Sequence, residues 1–199
     1  STDNGKSWGK VTDITDQVYG GIYGDGTRYG LFTGSGSGVQ LKHGPHAGRI
    51  MLVVAARNDA SWGGTMSNYA VYSDDGGITW HTSKTPACTN GDEAKVVELS
   101  NGDILMSIRN RAKGHRLFSK STDGGDTWSE PKLNTTLLDP ACNGDIIAYT
   151  HGGKNYLLHS LPASPTTREH VTAYISPDNA ETWQAKRRTF NGYSAYSSL

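Results

Sequence analysis

An all-β fold, a β-propeller of four-stranded antiparallel blades, is predicted by three observations: a short motif that recurs four times, a composition rich in glycine and turn dipeptides, and the absence of any sustained helical periodicity. The motif occupies residues 1–8, 73–80, 121–128 and 176–183 and reads Ser-x-Asp-x-Gly-x-Thr-Trp, with Ser7 and Ala180 as single departures. A self-similar unit at intervals of about fifty to seventy residues is the signature of stacked or radially repeated sheets. The 25 glycines and the repeated Asn-Gly, Asp-Gly and Gly-Gly pairs favour many short strands joined by tight turns.

Each position of the motif suits a turn between two strands. The Ser hydroxyl and Asp carboxylate can accept hydrogen bonds from backbone N–H groups of the turn, and Gly tolerates a positive φ. The Trp is expected to cover the sheet and bury its ring against the neighbouring unit. These aspartates are therefore read as structural, since a turn-stabilising carboxylate already has its partners.

Between the boxes the strands follow in order. Residues 94–100 and 103–109 are apolar runs joined by Asn101-Gly102, a hairpin signal; 115–120 leads into the box at Ser121, and a fourth strand should follow from Thr127. The same scheme places strands at 38–42, 49–56, 68–73 and 79–83 in the preceding blade. In the following blade it places them at 145–150, 155–161, 169–176 and 182–189, with a new blade beginning near Tyr196. The chain opens inside a box and stops as a strand begins, so about three full blades with partial blades at both ends are expected, from a longer natural protein.

The composition narrows the function classes. Lys+Arg and Asp+Glu both number 19, so the formal net charge is zero and no basic stripe invites nucleic acid. The longest apolar run, residues 51–56, is far too short to span a bilayer. The two cysteines, Cys88 and Cys142, precede similar Asn-Gly-Asp segments in consecutive blades, which leaves both proximity and separation open. No Cys-x-x-Cys or His-Glu-x-x-His spacing suggests a metal, no cofactor is expected, and His43 and His46 in a Gly/Pro-containing loop are read as solvated. Asn134-Thr135-Thr136 is a formal glycosylation sequon with meaning only in a eukaryotic secretory setting.

Blade topology then sorts the polar residues. In an antiparallel blade the start of the first strand, the end of the second and the start of the third share one rim, opposite the boxes. Glu93 and Tyr196 fall at starts of first strands, Arg109 at the end of a second strand and Arg168 at the start of a third. Planar guanidinium forks suit bidentate capture of a carboxylate, and a phenol becomes a nucleophile when a neighbouring carboxylate takes its proton. The set points to an enzyme acting on an acidic substrate. Arg57 and Asp145 reach the same rim as possible contacts, and Trp62 and Met66 could line an apolar part of the site or cap a blade.

With these residues in view, the sequence resembles the bacterial-type exo-sialidases (neuraminidases) over essentially its whole length. The box resembles that family's Asp-box, residues 93–109 resemble the stretch carrying the catalytic Glu and the second arginine of a substrate-binding triad, and Arg168 is placed like the third. Tyr196-Ser197-Ser198-Leu199 resembles the stretch holding the nucleophilic tyrosine, and residues 34–41 a glycine-rich family segment. The resemblance implies a six-bladed propeller, with residues 1–199 part of a single catalytic domain, and retaining hydrolysis of terminal α-linked sialic acids. Tyr196 and Glu93 are then catalytic, and Arg109 and Arg168 bind the sugar carboxylate. It also implies sialylated glycoconjugates as partners, a secreted or periplasmic location, and a first triad arginine and general acid/base aspartate before Ser1, with a supporting glutamate after Leu199. Two alternatives stay open: a non-catalytic Asp-box propeller that binds glycans or proteins, and a trans-sialidase or intramolecular variant with the same residues.

Overall fold

The computed structural model describes residues 1–199 apart from 25, 27, 36 and 62. Three antiparallel sheets follow one another along the chain. The first contains β1 (Leu31–Thr33), β2 (Val39–Gln40), β3 (Ile50–Arg57), β4 (Met66–Ser73) and β5 (His81–Thr82). The second runs β6 (Gly91–Glu98), β7 (Ile104–Asn110), β8 (Gly114–Ser121), β9 (Lys132–Asp139), and the third β10 (Asp145–His151), β11 (Lys154–Pro162), β12 (Val171–Ser176), β13 (Gln184–Arg188). Each of the last two has its four strands in sequence order, the up-and-down blade expected from the hairpin signals.

The boxes form the turns as their chemistry requires. In the third, Ser121 Oγ accepts from Gly125 N at 2.8 Å and donates to Asp123 Oδ1 at 2.8 Å, while Asp123 accepts from Thr127 N at 2.9 Å and Thr127 Oγ1 at 2.5 Å. The fourth repeats this with Ala180 in the glycine position at φ 72°, a left-handed conformation that an L-residue adopts at a cost. Trp183 is 6 % exposed inside the cluster between the second and third sheets, and Trp80 and Trp128 are partly buried. Trp8 departs from the expectation: it is 80 % exposed.

Four further expectations are corrected. A helix, α1 (Thr15–Tyr23), stands where none was predicted; nine residues containing Gly20 and Gly21 are too short for a period to register. Its stability comes from packing Val18 and Ile22 against Val54 and Val71 of the first sheet. The first strand of the first blade is split into β1 and β2, both paired with β3. Glycines near the end of β1 and the start of β2 lie close to their neighbours: a Cβ at Gly34 would sit 2.6 Å from Ala94 O, and one at Gly38 2.8 Å from Met51 O. Lastly β9 begins at Lys132 instead of Thr127, just after Pro131, and Tyr196 lies in an irregular segment instead of a strand.

Two apolar clusters join the sheets. One links β3 and β4 to β6 and β7 around Met51, Ala70, Ile104 and Met106; the other links β6 and β7 to β10, β11 and β12 around Val97, Leu137, Leu157 and Leu161. No helix among the described residues is long and apolar enough to cross a membrane.

Candidate active site

The second and third sheets bring Glu93, Arg109, Arg168 and Tyr196 to one rim. Glu93 and Arg109 meet because of a β-bulge. The β6–β7 register passes from Gly91 opposite Asn110 to Ala94 opposite Ile108, so two residues, Asp92 and Glu93, stand against Arg109 alone. Both carboxylates therefore reach its guanidinium: Arg109 Nη1 donates to Glu93 Oε2 at 2.5 Å, and Arg109 Nε lies 3.6 Å from Asp92 Oδ2.

Tyr196 is carried in by backbone pairing with the segment before β12. Ser194 N donates to Arg168 O at 2.8 Å, Ser197 Oγ donates to Ser160 O at 2.9 Å, and Leu199 N donates to Asp145 Oδ2 at 2.9 Å. Tyr196 Oη then donates to Glu93 Oε1 at 2.5 Å and sits 3.3 Å from Arg109 Nη1. The Arg168 guanidinium carbon lies 5.6 Å from the centre of the Tyr196 ring, and its Nη2 donates to Ala141 O at 3.1 Å.

The electrostatics follow from this packing. Burial works against the Glu93 carboxylate, but hydrogen bonds from Tyr196 and Arg109 and the guanidinium charge outweigh it and leave the pKa lowered. Tyr196 is shifted upward, first by its hydrogen bond to Glu93 and then by burial and the carboxylate charge, against the two arginines. Asp92 is raised, chiefly by burial, with Arg109 opposing and the Glu93 charge adding. The resting site thus holds an ionised Glu93 and a neutral phenol sharing a short hydrogen bond.

The family model described as BNR repeat-like domain matches residues 1–199. A sialidase of Micromonospora viridifaciens is 35 % identical over 206 residues, covering 100 % of this chain and 30 % of that protein. The chain belongs to the BNR repeat-like domain family. A second sialidase, from Bacteroides fragilis (strain YCH46), is 30 % identical over 94 % of this chain and 33 % of its own length. The solved structure of a Hadza microbial sialidase superposes with a TM-score of 0.81 at 28 % identity, over 96 % of this chain and 36 % of that one. The chain therefore spans about a third of the length of these two curated sialidases.

Within this sialidase fold the secondary candidates separate. Asp145, 6 % exposed, is a backbone anchor for the Tyr196 segment. Arg57, at the end of β3, donates to the carbonyls of Ala60 and Ser61 in the following loop. Met66 starts β4 opposite Arg57, and Trp62 lies outside the described residues. Cys88 and Cys142 are both buried free thiols. His43 Nδ1 lies 3.2 Å from Glu98, whose carboxylate also accepts from the backbone N–H groups of Lys42 and His43.

Sequence reasoning missed Asp92 and Lys95. The signal for Asp92 was present in the Asn-Gly-Asp segments at 90–92 and 143–145, which start consecutive blades and deliver Asp92 and Asp145 to the same rim. Lys95, 4 % exposed and with no hydrogen-bond partner at Nζ, lies two residues beyond Glu93 on β6. Burial lowers its pKa, with Arg116 adding and Asp145 opposing. An ammonium inside an apolar-looking strand has no sequence signature.

Proposed function

We propose that the protein is a retaining exo-sialidase that hydrolyses terminal α-linked sialic acids of glycoproteins, glycolipids and oligosaccharides, with residues 1–199 contributing to a single catalytic domain. The observation that carries the reading is the 2.5 Å hydrogen bond from Tyr196 Oη to Glu93 Oε1, flanked by two guanidiniums. A neutral phenol approaches an anomeric carbon bearing a carboxylate without the like-charge repulsion a carboxylate nucleophile would meet.

In this reading the Tyr196 oxygen bonds to the anomeric carbon as the bond to the aglycone breaks, and the phenolic proton passes to Glu93. The leaving oxygen takes its proton from an acid that none of these four residues supplies. Water then attacks the same carbon, losing a proton to the conjugate base of that acid as the Tyr196 oxygen leaves, and Glu93 returns its proton to the phenolate. Arg109 and Arg168 hold the sugar carboxylate and orient the ring for both displacements. Sialylated substrates of the bacterial relatives' kind fit a secreted or periplasmic setting.

The test uses a fluorinated sialosyl probe on the whole protein. Wild type should gain the mass of one sialosyl group, located on Tyr196 by peptide mapping, and Tyr196→Phe should gain none. A label that persists in the Phe variant, or that maps to another residue, overturns the assignment. Failure of wild type to cleave a fluorogenic sialoside would favour a propeller that only binds glycans.

A further inference from the structure

We propose that Asp139, braced by Arg116, is a positioning residue that sets the spacing between Arg109 and Arg168; this rests on the reading of those arginines as a carboxylate clamp. Asp139 ends β9 and Arg116 lies on β8, and both are fully buried. Their ion pair, Arg116 Nη1 to Asp139 Oδ2 at 3.1 Å, lies in the second sheet.

The carboxylate holds two pieces of backbone at once. Oδ2 accepts from the N–H of Asn110 at 3.0 Å, the residue that follows Arg109. Oδ1 accepts from the N–H of Cys142 at 2.9 Å, and Arg116 Nη1 also donates to the Cys142 carbonyl at 2.8 Å. The peptide groups on both sides of Cys142 are thereby fixed. Immediately before it stands Ala141 at φ 60°, a left-handed conformation that an alanine keeps only when its surroundings impose it.

The consequence reaches the rim through one carbonyl. Ala141 O receives Arg168 Nη2 at 3.1 Å, and Arg168 itself projects from an exposed loop. Asp139 therefore ties the backbone behind one guanidinium to the turn that aims the other. Stability alone does not account for such a pair, because burying two charges recovers little net energy and well-packed apolar residues often serve as well. A fixed distance between two forks is a result that apolar packing does not deliver, since only directed hydrogen bonds hold a turn with a positive-φ alanine.

The experiment compares Asp139→Asn, Arg116→Lys and Arg49→Lys in the whole protein, each assayed well below its melting temperature with a fluorogenic sialoside. Arg49 is a control: it is similarly buried, 5 % exposed, and bonded to Asp74 of the second box and to Gly124 O of the third, where the first sheet meets the second. The two positioning variants should raise KM about tenfold or more with kcat within about threefold of wild type, because a displaced clamp weakens ground state and transition state alike. Arg49→Lys should lower the melting temperature and leave KM unchanged. If Asp139→Asn does not fold, Arg116→Lys, which keeps a buried cation, decides. A folded Arg116→Lys with unchanged KM and a lowered melting temperature overturns the proposal. A wild type that binds and cleaves no sialoside overturns the underlying function instead.

Discussion

At the residue scale the contact between Tyr196 and Glu93 sets the order of events. The hydrogen bond from the phenol lowers the Glu93 pKa and raises that of Tyr196, so at neutral pH the proton rests on tyrosine with its acceptor already aligned. Glu93→Gln keeps the shape of the side chain but removes the base. It should lower kcat by about 10²–10⁴-fold while changing KM little, measured by steady-state kinetics on the whole protein. A comparable loss confined to KM would mean that Glu93 serves only to hold Arg109. Glu93 and Arg109 were legible because hairpin signals fix the ends of β6 and β7. Asp92 was signalled only by the repeated Asn-Gly-Asp segment and not by strand periodicity, because the bulge that turns two consecutive side chains toward Arg109 breaks the two-residue alternation on which strand reading depends.

At the scale of elements, the box turns and the hairpins account for what could be read in advance. Ser, Asp and Thr of the second, third and fourth boxes bond one another as their donor and acceptor chemistry dictates, and most of the strands between them fall close to their expected limits. What could not be read is how neighbouring blades meet. Ser107 on β7 receives Arg116 Nε at 2.9 Å and faces His159 Nε2 on β11 at 2.7 Å, a polar link between two sheets whose partners lie 52 residues apart. His159 is fully buried, and burial, with the nearby Arg116 charge, pushes its pKa well below the ordinary histidine value. The folded state therefore keeps this imidazole neutral where the unfolded chain would protonate it. The unfolded state binds more protons below about pH 6.5, so stability is complete above that pH and declines as pH falls toward the folded-state pKa, by up to about 1.4 kcal/mol per pH unit. Denaturant unfolding at pH 7.5, 6.5 and 5.5 should show this decline, and His159→Gln should flatten it. An equal slope in the variant would place the effect elsewhere.

At the scale of the whole molecule, the site belongs to no single blade: Glu93 and Arg109 come from the second sheet, Arg168 and Tyr196 from the third and the segment beyond it. The propeller itself could be read from the repeat, yet the repeat says only that blades exist, whereas their mutual angle depends on which side chains fill the space between them. Leu161 on β11 is fully buried in the cluster joining the two sheets, next to Ser160, which anchors Ser197 and hence the Tyr196 segment. Leu161→Ala should cost about 2–5 kcal/mol through lost contact and a residual cavity. The same substitution should also disturb turnover, because relaxation around the cavity moves one half of the site against the other. Val71→Ala is the matching control: Val71 is 2 % exposed in the cluster under α1, on the first sheet, and its loss should cost about 2 kcal/mol. Thermal melts and steady-state kinetics on the two variants separate the effects. Both should melt earlier, but only Leu161→Ala should raise KM or lower kcat when assayed well below its transition, and equal kinetics in the two would show that the rim tolerates movement between the sheets.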